Sequence, residues 1–245
     1  MRKLLLIFTF SFISWACGDD NTEDIIPAIN LDTGSDKIYF ENKICKCPQA
    51  KDGDSAIING TSYTVVNNSS IKDQIAAGNI KLCTTLVTDM SGGFTGSLTN
   101  FFNNNSFDSD ISFWDVSNVI NMDGMFFGAV SFNRDISGWN VSKVTNMGSM
   151  FKDASLFNQN IGNWNTSNVT KMLDFFRNAS AFNQDIGKWN TSNVTSMQGI
   201  FQDASTFNQN LSSWCVTNIL LEPDNFAINS ALSTDNKPAW GTCPP

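Results

Sequence analysis

The sequence predicts an α/β repeat solenoid, and three observations carry that prediction. Phe recurs at 107, 132, 157, 182 and 207, and Trp at 114, 139, 164, 189 and 214, so both columns run at a period of 25 residues. Within one unit Met147, Met150, Phe151 and Ala154 stand at i, i+3, i+4 and i+7, the spacing of one helical face. After Ala154 the pattern changes to "SLFNQNIGNWNTSNV", with Phe157, Ile161 and Trp164 directed inward and Gly or Asn at turns. Each 25-residue coil is therefore expected to join a short helix to an extended segment holding a short parallel strand. A helical stripe of four apolar residues makes no core alone, but stacked on copies of itself it becomes continuous.

In chain order, residues 1–16 read as an address. Arg2 and Lys3 precede an apolar run of 12 residues, Leu4 to Trp15, which is short of the roughly 20 that span a bilayer. The run ends at Ala16-Cys17 and resembles a bacterial lipoprotein signal, although Ser14 and Trp15 depart from the usual pattern. That resemblance implies lipid attachment at Cys17 and the membrane as a partner through the anchor; the other reading is an ordinary secretory signal cut near Cys17. Residues 17–36 are acidic, carry Pro and Gly and have no apolar period, as a flexible tether would. Asp19, Asp20, Glu23 and Asp24 resemble the surface-export signal of Bacteroidetes-type lipoproteins, which implies an exported protein in the outer membrane facing the cell surface.

Residues 37–85 alternate apolar with polar side chains around a turn signal at Asn59-Gly60, so a small β element is expected. "SSIKDQIAAGN" then predicts a short helix from Ser69 or Ser70 to Gly78, completing an N-terminal cap. The solenoid of about five coils follows over 86–226. "LVTDMSGGF" (86–94) matches "KVTNMGSMF" (143–151), but residues around "TGSLTNFFNNN" swell the first unit. Thr145 is the candidate helix N-cap, and Gly148, Ser149, Lys152 and Asp153 are expected to face water. A second Phe series runs 126, 151, 176, 201 and 226. Asn133, Asn158, Asn183 and Asn208 each follow a ladder Phe and are suited to bonding the backbone of the coil. The structural ladder is thus Phe132, Phe157, Phe182 and Phe207 with Trp114, Trp139, Trp164, Trp189, Trp214 and those Asn residues. A sugar-stacking platform would need exposed Trp, whereas these lie in phase with the Ile column. Glu222 and Pro223 weaken the pattern, and residues 227–245 depart from it as a C-terminal cap.

Composition excludes much chemistry. There is no His, which removes Ser-His and Cys-His nucleophile pairs and every histidine metal ligand. The formal charge is −8, and without Arg2 and Lys3 it becomes −10, with no basic stripe for nucleic acid. Besides Cys17 there are five cysteines, expected to form disulfides in an exported protein with one thiol left over. Cys215 and Cys243 form one candidate pair; Cys83 has two candidate partners, Cys45 and Cys47. A lone C-x-C without His argues against zinc, and one carboxylate per coil is too few for calcium, so no metal and no cofactor are expected. Asp110, Asp135 and Asp185 share a column with Asn160 and Asn210, which suits hydrogen bonding better than acid catalysis. No catalytic residue, and no enzyme, is expected.

"FNQDI", "WNTSNVT" and "MGSMFKDASLF" are similar to the 25/26-residue repeat of BspA-like, listerial and mycoplasmal surface lipoproteins, which are grouped with leucine-rich-repeat-like solenoids. The resemblance covers about 86–226; Cys215 and Glu222 depart from it, and Phe175 and Ile200 replace the second Met. It implies a cell-surface, adhesion-type module that binds an extracellular protein or glycan of unknown identity. The alternative is a structural envelope protein without a specific ligand.

Overall fold

Two tight turns organise the N-terminal end of the computed structural model, which describes residues 37–92 and 106–245. Strands β1 (Tyr39–Glu41) and β2 (Ile44–Lys46) pair antiparallel across Asn42 and Lys43, whose φ values of 49° and 68° suit a two-residue hairpin. Strands β3 (Ser55–Ile58) and β4 (Thr61–Val65) turn in the same way at Asn59-Gly60, with φ of 51° and 76°. Strand β5 (Leu82–Cys83) joins β4 in parallel, and helix α1 (Ile71–Ala76) lies in the crossover. The helix begins after Ser70, and Gly78 past its end takes the left-handed φ of 80° that favours glycine. The expected signal peptide, Cys17, the tether and the insertion around 95–105 lie outside the described residues. All described residues belong to one compact unit, Asp32–Pro245.

The expected α/β repeat solenoid does not form. Regular structure among the described residues is mostly sheet: five strands in two small sheets, against one six-residue α-helix and a 3-10 turn at Thr234–Asn236. Where a helix was expected over 147–154, the chain is a run of consecutive turns. Ser149 and Asp153 have φ of 50° and 61°, and the matching positions are also left-handed in the neighbouring layers: Gly124 and Gly128, Asp174 and Asn178, Gly199 and Asp203. A right-handed helix cannot pass through a left-handed residue every four positions. The amides divide instead. Met150, Lys152 and Ala154 bond back three residues, to Met147, Ser149 and Phe151. Met147, Ser149, Phe151 and Asp153 donate to Lys171, Leu173, Phe175 and Arg177 in the next layer, at 2.7–3.0 Å. Nor does a parallel strand run through each coil. Among the described residues strand pairing between the layers is limited to isolated parallel bridges, Asp89 to Asn121, then Asn146, Lys171 and Ser196 in turn.

The turns still direct the helix-spaced residues inward, and all four of Met147, Met150, Phe151 and Ala154 are fully buried. Rings then stack along the molecule. Phe107, Phe132, Phe157, Phe182 and Phe207 follow one another at centroid distances of 5.8–6.0 Å. Phe126, Phe151, Phe176 and Phe201 form a second column at 5.4–5.8 Å, each packed on its neighbour in the first column at about 4 Å. Burial of each such side chain contributes roughly 1.5–3 kcal/mol, so the two columns dominate the core. Each Trp resolves its one polar atom across layers: the indoles of Trp139, Trp164, Trp189 and Trp214 donate to the carbonyls of Ile111, Ile136, Ile161 and Ile186 at 3.0–3.3 Å.

Different devices close the two ends. At the N-terminal end the indole of Trp114 donates to the Ile80 carbonyl, and the Cys45 amide donates to Phe113. Buried Asp115 is held there by Lys46 Nζ at 2.9 Å and the Thr85 hydroxyl at 2.8 Å. At the C-terminal end the tail lies over half of the last coil: Leu211 donates to Asn236, Val216 to Thr242, and Gly241 to Ile219. The last coil also carries one extra residue between Ile219 and Asp224. Phe126, Phe151 and Phe176 donate to Met150, Phe175 and Ile200, and Phe201 donates to Phe226. Phe226 therefore occupies the Met150 column, not the Phe column that its spacing of 25 indicates, and meets Phe201 edge-on at 86°.

Candidate functional site

The side chains that change from layer to layer lie on the outward side of the turn-runs. One such column is Phe127, Lys152, Arg177, Gln202 and Ile228; each is followed by a left-handed residue, and the first four each follow a buried Phe. Its middle forms a charged cluster. Lys152 Nζ lies 2.9 Å from Asp174 Oδ2 and 5.7 Å from the Phe127 ring centre. Arg177 reaches the same carboxylate at 3.5 Å, while its Nε is buried without a partner among the described residues. Lys152 was expected to face water but is largely buried in this ion pair, with a side-chain exposure of 15%. Gly148 and Ser149 are also buried, because each sits under the neighbouring layer: a Cβ on Gly148 would meet the Asp123 carboxylate at 2.6 Å. Burial pushes the Asp123 carboxyl up, Lys171 opposes the rise and Asp89 adds to it.

The Asn of the ladder sit at the surface edge of the stack, where each side-chain oxygen accepts from the next layer. Asn133, Asn158 and Asn183 take the amides of Asn158, Asn183 and Asn208 at 2.9–3.0 Å, and Asn208 takes that of Ser233 in the tail. Gln159, Gln184 and Gln209 donate into the same ladder, a contribution that the Phe and Trp columns gave no reason to single out. The column Asp110, Asp135, Asn160, Asp185 and Asn210 makes one repeated contact. Each accepts the backbone amide two residues on at 2.9–3.1 Å, an Asx turn for which carboxylate and amide serve equally. Hydrogen bonds from Ser112 hold the Asp110 carboxyl below the ordinary range, and those from Ser137 do the same for Asp135.

Cys47 bonds to Cys83 and Cys215 to Cys243, leaving Cys45 as a thiol. Burial, with the Asp115 charge adding, pushes that thiol up to about 12, so it stays protonated at neutral pH. Asp115 moves in the opposite direction. Burial alone would raise its carboxyl, but hydrogen bonds from Ser117, Lys46 and Thr85 outweigh it and hold the pKa down. No group of three His, Cys, Asp or Glu able to hold a metal occurs among the described residues, and none of their helices is long and apolar enough to cross a membrane. These positions together offer surfaces for contact: a varied outward column, a charged cluster at its centre and an end of the stack.

A family model described as "Mycoplasma protein of unknown function, DUF285" matches residues 66–172 and 139–240. No curated protein and no solved structure matches the chain.

Proposed function

The chain belongs to this family of Mycoplasma proteins of unknown function, DUF285, and from that premise we propose a surface-anchored lipoprotein whose layered body is a binding module of adhesion type. The observation that carries the reading is the contrast between fixed and varied positions. Phe and Trp columns recur without change through the middle layers, while the outward column runs through Phe, Lys, Arg, Gln and Ile. Packing accounts for the first set and leaves the second open to recognition. The partner is an extracellular protein or glycan, and the body holds it without chemistry. Supporting this, the repeated carboxylates of Asp110, Asp135 and Asp185 are engaged in Asx turns. The anchor is the lipid on Cys17, and the location is the outer membrane facing the cell surface.

Two measurements test the reading. Cys17→Ser is expected to release the protein from the cell surface, and unchanged retention refutes the lipid anchor. The full chain is expected to bind a defined ligand on arrays of matrix proteins and glycans. A clean negative there returns the protein to a structural role in the envelope.

A further inference from the structure

Every internal layer ends in a row of backbone donors that the next layer accepts. Met122, Gly124, Phe126 and Gly128 donate to carbonyls 24 residues on, and the rows beginning at Met147 and Met172 repeat the same pattern at 2.7–3.0 Å. Gly199, Phe201 and Asp203 donate to Asp224, Phe226 and Ile228 in the last layer. In that last layer the corresponding positions are Pro223, Asn225, Ala227 and Asn229. Pro223 has no N–H, and the amides of the other three have no partner among the described residues. The tail covers the other half of this coil, through Asn236, Gly241 and Thr242, and sets Trp240 edge-on to Phe226 at 4.8 Å, but accepts none of the amides of the donor row. Large apolar side chains flank the row: Leu221 is 81% exposed and Ile228 49%.

We infer that the open row formed by the amides of Asn225, Ala227 and Asn229 is a docking edge for an apolar and basic polypeptide segment, which adds to the stack as one more run of turns. This rests on the binding-module reading and names its class of partner. Unsatisfied backbone donors beside exposed apolar side chains form the arrangement by which sheet edges capture peptides. The row continues the interface that the rows beginning at Met122, Met147, Met172 and Gly199 already make, so its geometry is set in advance. Exposed Asp224 gives the edge an acidic group that favours a basic segment, while Glu222 beside it is paired with Lys237 at 2.6 Å. The formal charge of −8 opposes a second copy of the chain in that place.

The probe is a synthetic peptide of residues 170–180, "TKMLDFFRNAS", whose Lys171, Leu173, Phe175 and Arg177 carbonyls already accept such a row. Amide exchange of the full chain is followed by NMR with and without it. The expected result is binding, with exchange at Asn225, Ala227 and Asn229 slowed at least about ten-fold and that at Gly199, Phe201 and Asp203 unchanged. The double variant Leu221→Lys, Ile228→Lys alters only exposed side chains and is expected to weaken the peptide at least about ten-fold. Absence of binding, or binding that leaves the three amides unprotected, overturns the inference. So does protection that rises with protein concentration alone, which assigns the edge to a second copy. An array ligand that leaves these amides unchanged sinks this inference while the binding module stands.

Discussion

Asp115 joins segments of the N-terminal end through one buried carboxylate. Its side chain is 3% exposed and touches Lys46 from β2, Thr85 after β5 and Ser117 in the first coil, so one carboxylate ties three segments. Its pKa is depressed on folding, so its contribution is present above the ordinary carboxylate range of about 3.9 and is lost as pH falls through the lower folded value. Asp115→Asn is expected to cost about 3 kcal/mol at neutral pH, since it leaves Lys46 half-buried without its counter-charge. Urea unfolding from about pH 6 to about pH 2 should show a shallower pH dependence in that variant than in the natural chain. Cys45 gives a second expectation at this scale. Its buried thiol, pushed up to about 12, should resist iodoacetamide in the folded protein and react once urea unfolds it with the disulfides intact. Peptide mapping reads the site directly.

At the scale of the element, layer spacing is enforced by what lies between coils. A Cβ at Gly187 would meet the Asn210 carbonyl at 2.7 Å, a backbone atom of the next layer with little room to give. A Cβ at Gly138 would meet nothing within 4 Å. Gly187→Ala should therefore cost about 1–3 kcal/mol and Gly138→Ala close to none, a difference that thermal melting of the two variants can measure. Trp164→Ala removes a ring that is 4% exposed and its bond to the Ile136 carbonyl, and should cost about 3–5 kcal/mol. The sequence displayed these columns because ring identity repeats every 25 residues. It did not display the turn-run. Residues at i, i+3, i+4 and i+7 point the same way in an α-helix and in this succession of turns, and the difference lies in the sign of φ at Ser149 and Asp153. Gly124, Gly128 and Gly199 in the same columns, with Asn178, were the available signal, since Gly and Asn are the residues that enter the left-handed region readily.

Across the whole molecule the two ends behave differently, and stability should follow. The Cys215–Cys243 bond closes a span of 28 residues and fastens the tail over half of the last coil. Its removal by Cys215→Ser with Cys243→Ser is expected to cost about 3–4 kcal/mol by chain entropy. Amide exchange should then quicken at Leu211 and Val216, which donate to the tail, before it changes in the middle layers.

The period, the apolar columns, the absence of His and the tight turn at Asn59-Gly60 are properties of the sequence alone, because each depends on residue identity at fixed spacing. Tertiary structure decided where the backbone hydrogen bonds go. The turn-run amides had two sets of acceptors, within the segment as a helix or in the coil alongside, and only stacking supplies the second set. It also decided that Cys47, not Cys45, meets Cys83, and that one extra residue after Ile219 moves Phe226 into another column. The docking edge belongs to this second class. Which amides of the last layer lack an acceptor among the described residues depends on how the coils stack, which no single coil of the sequence can reveal.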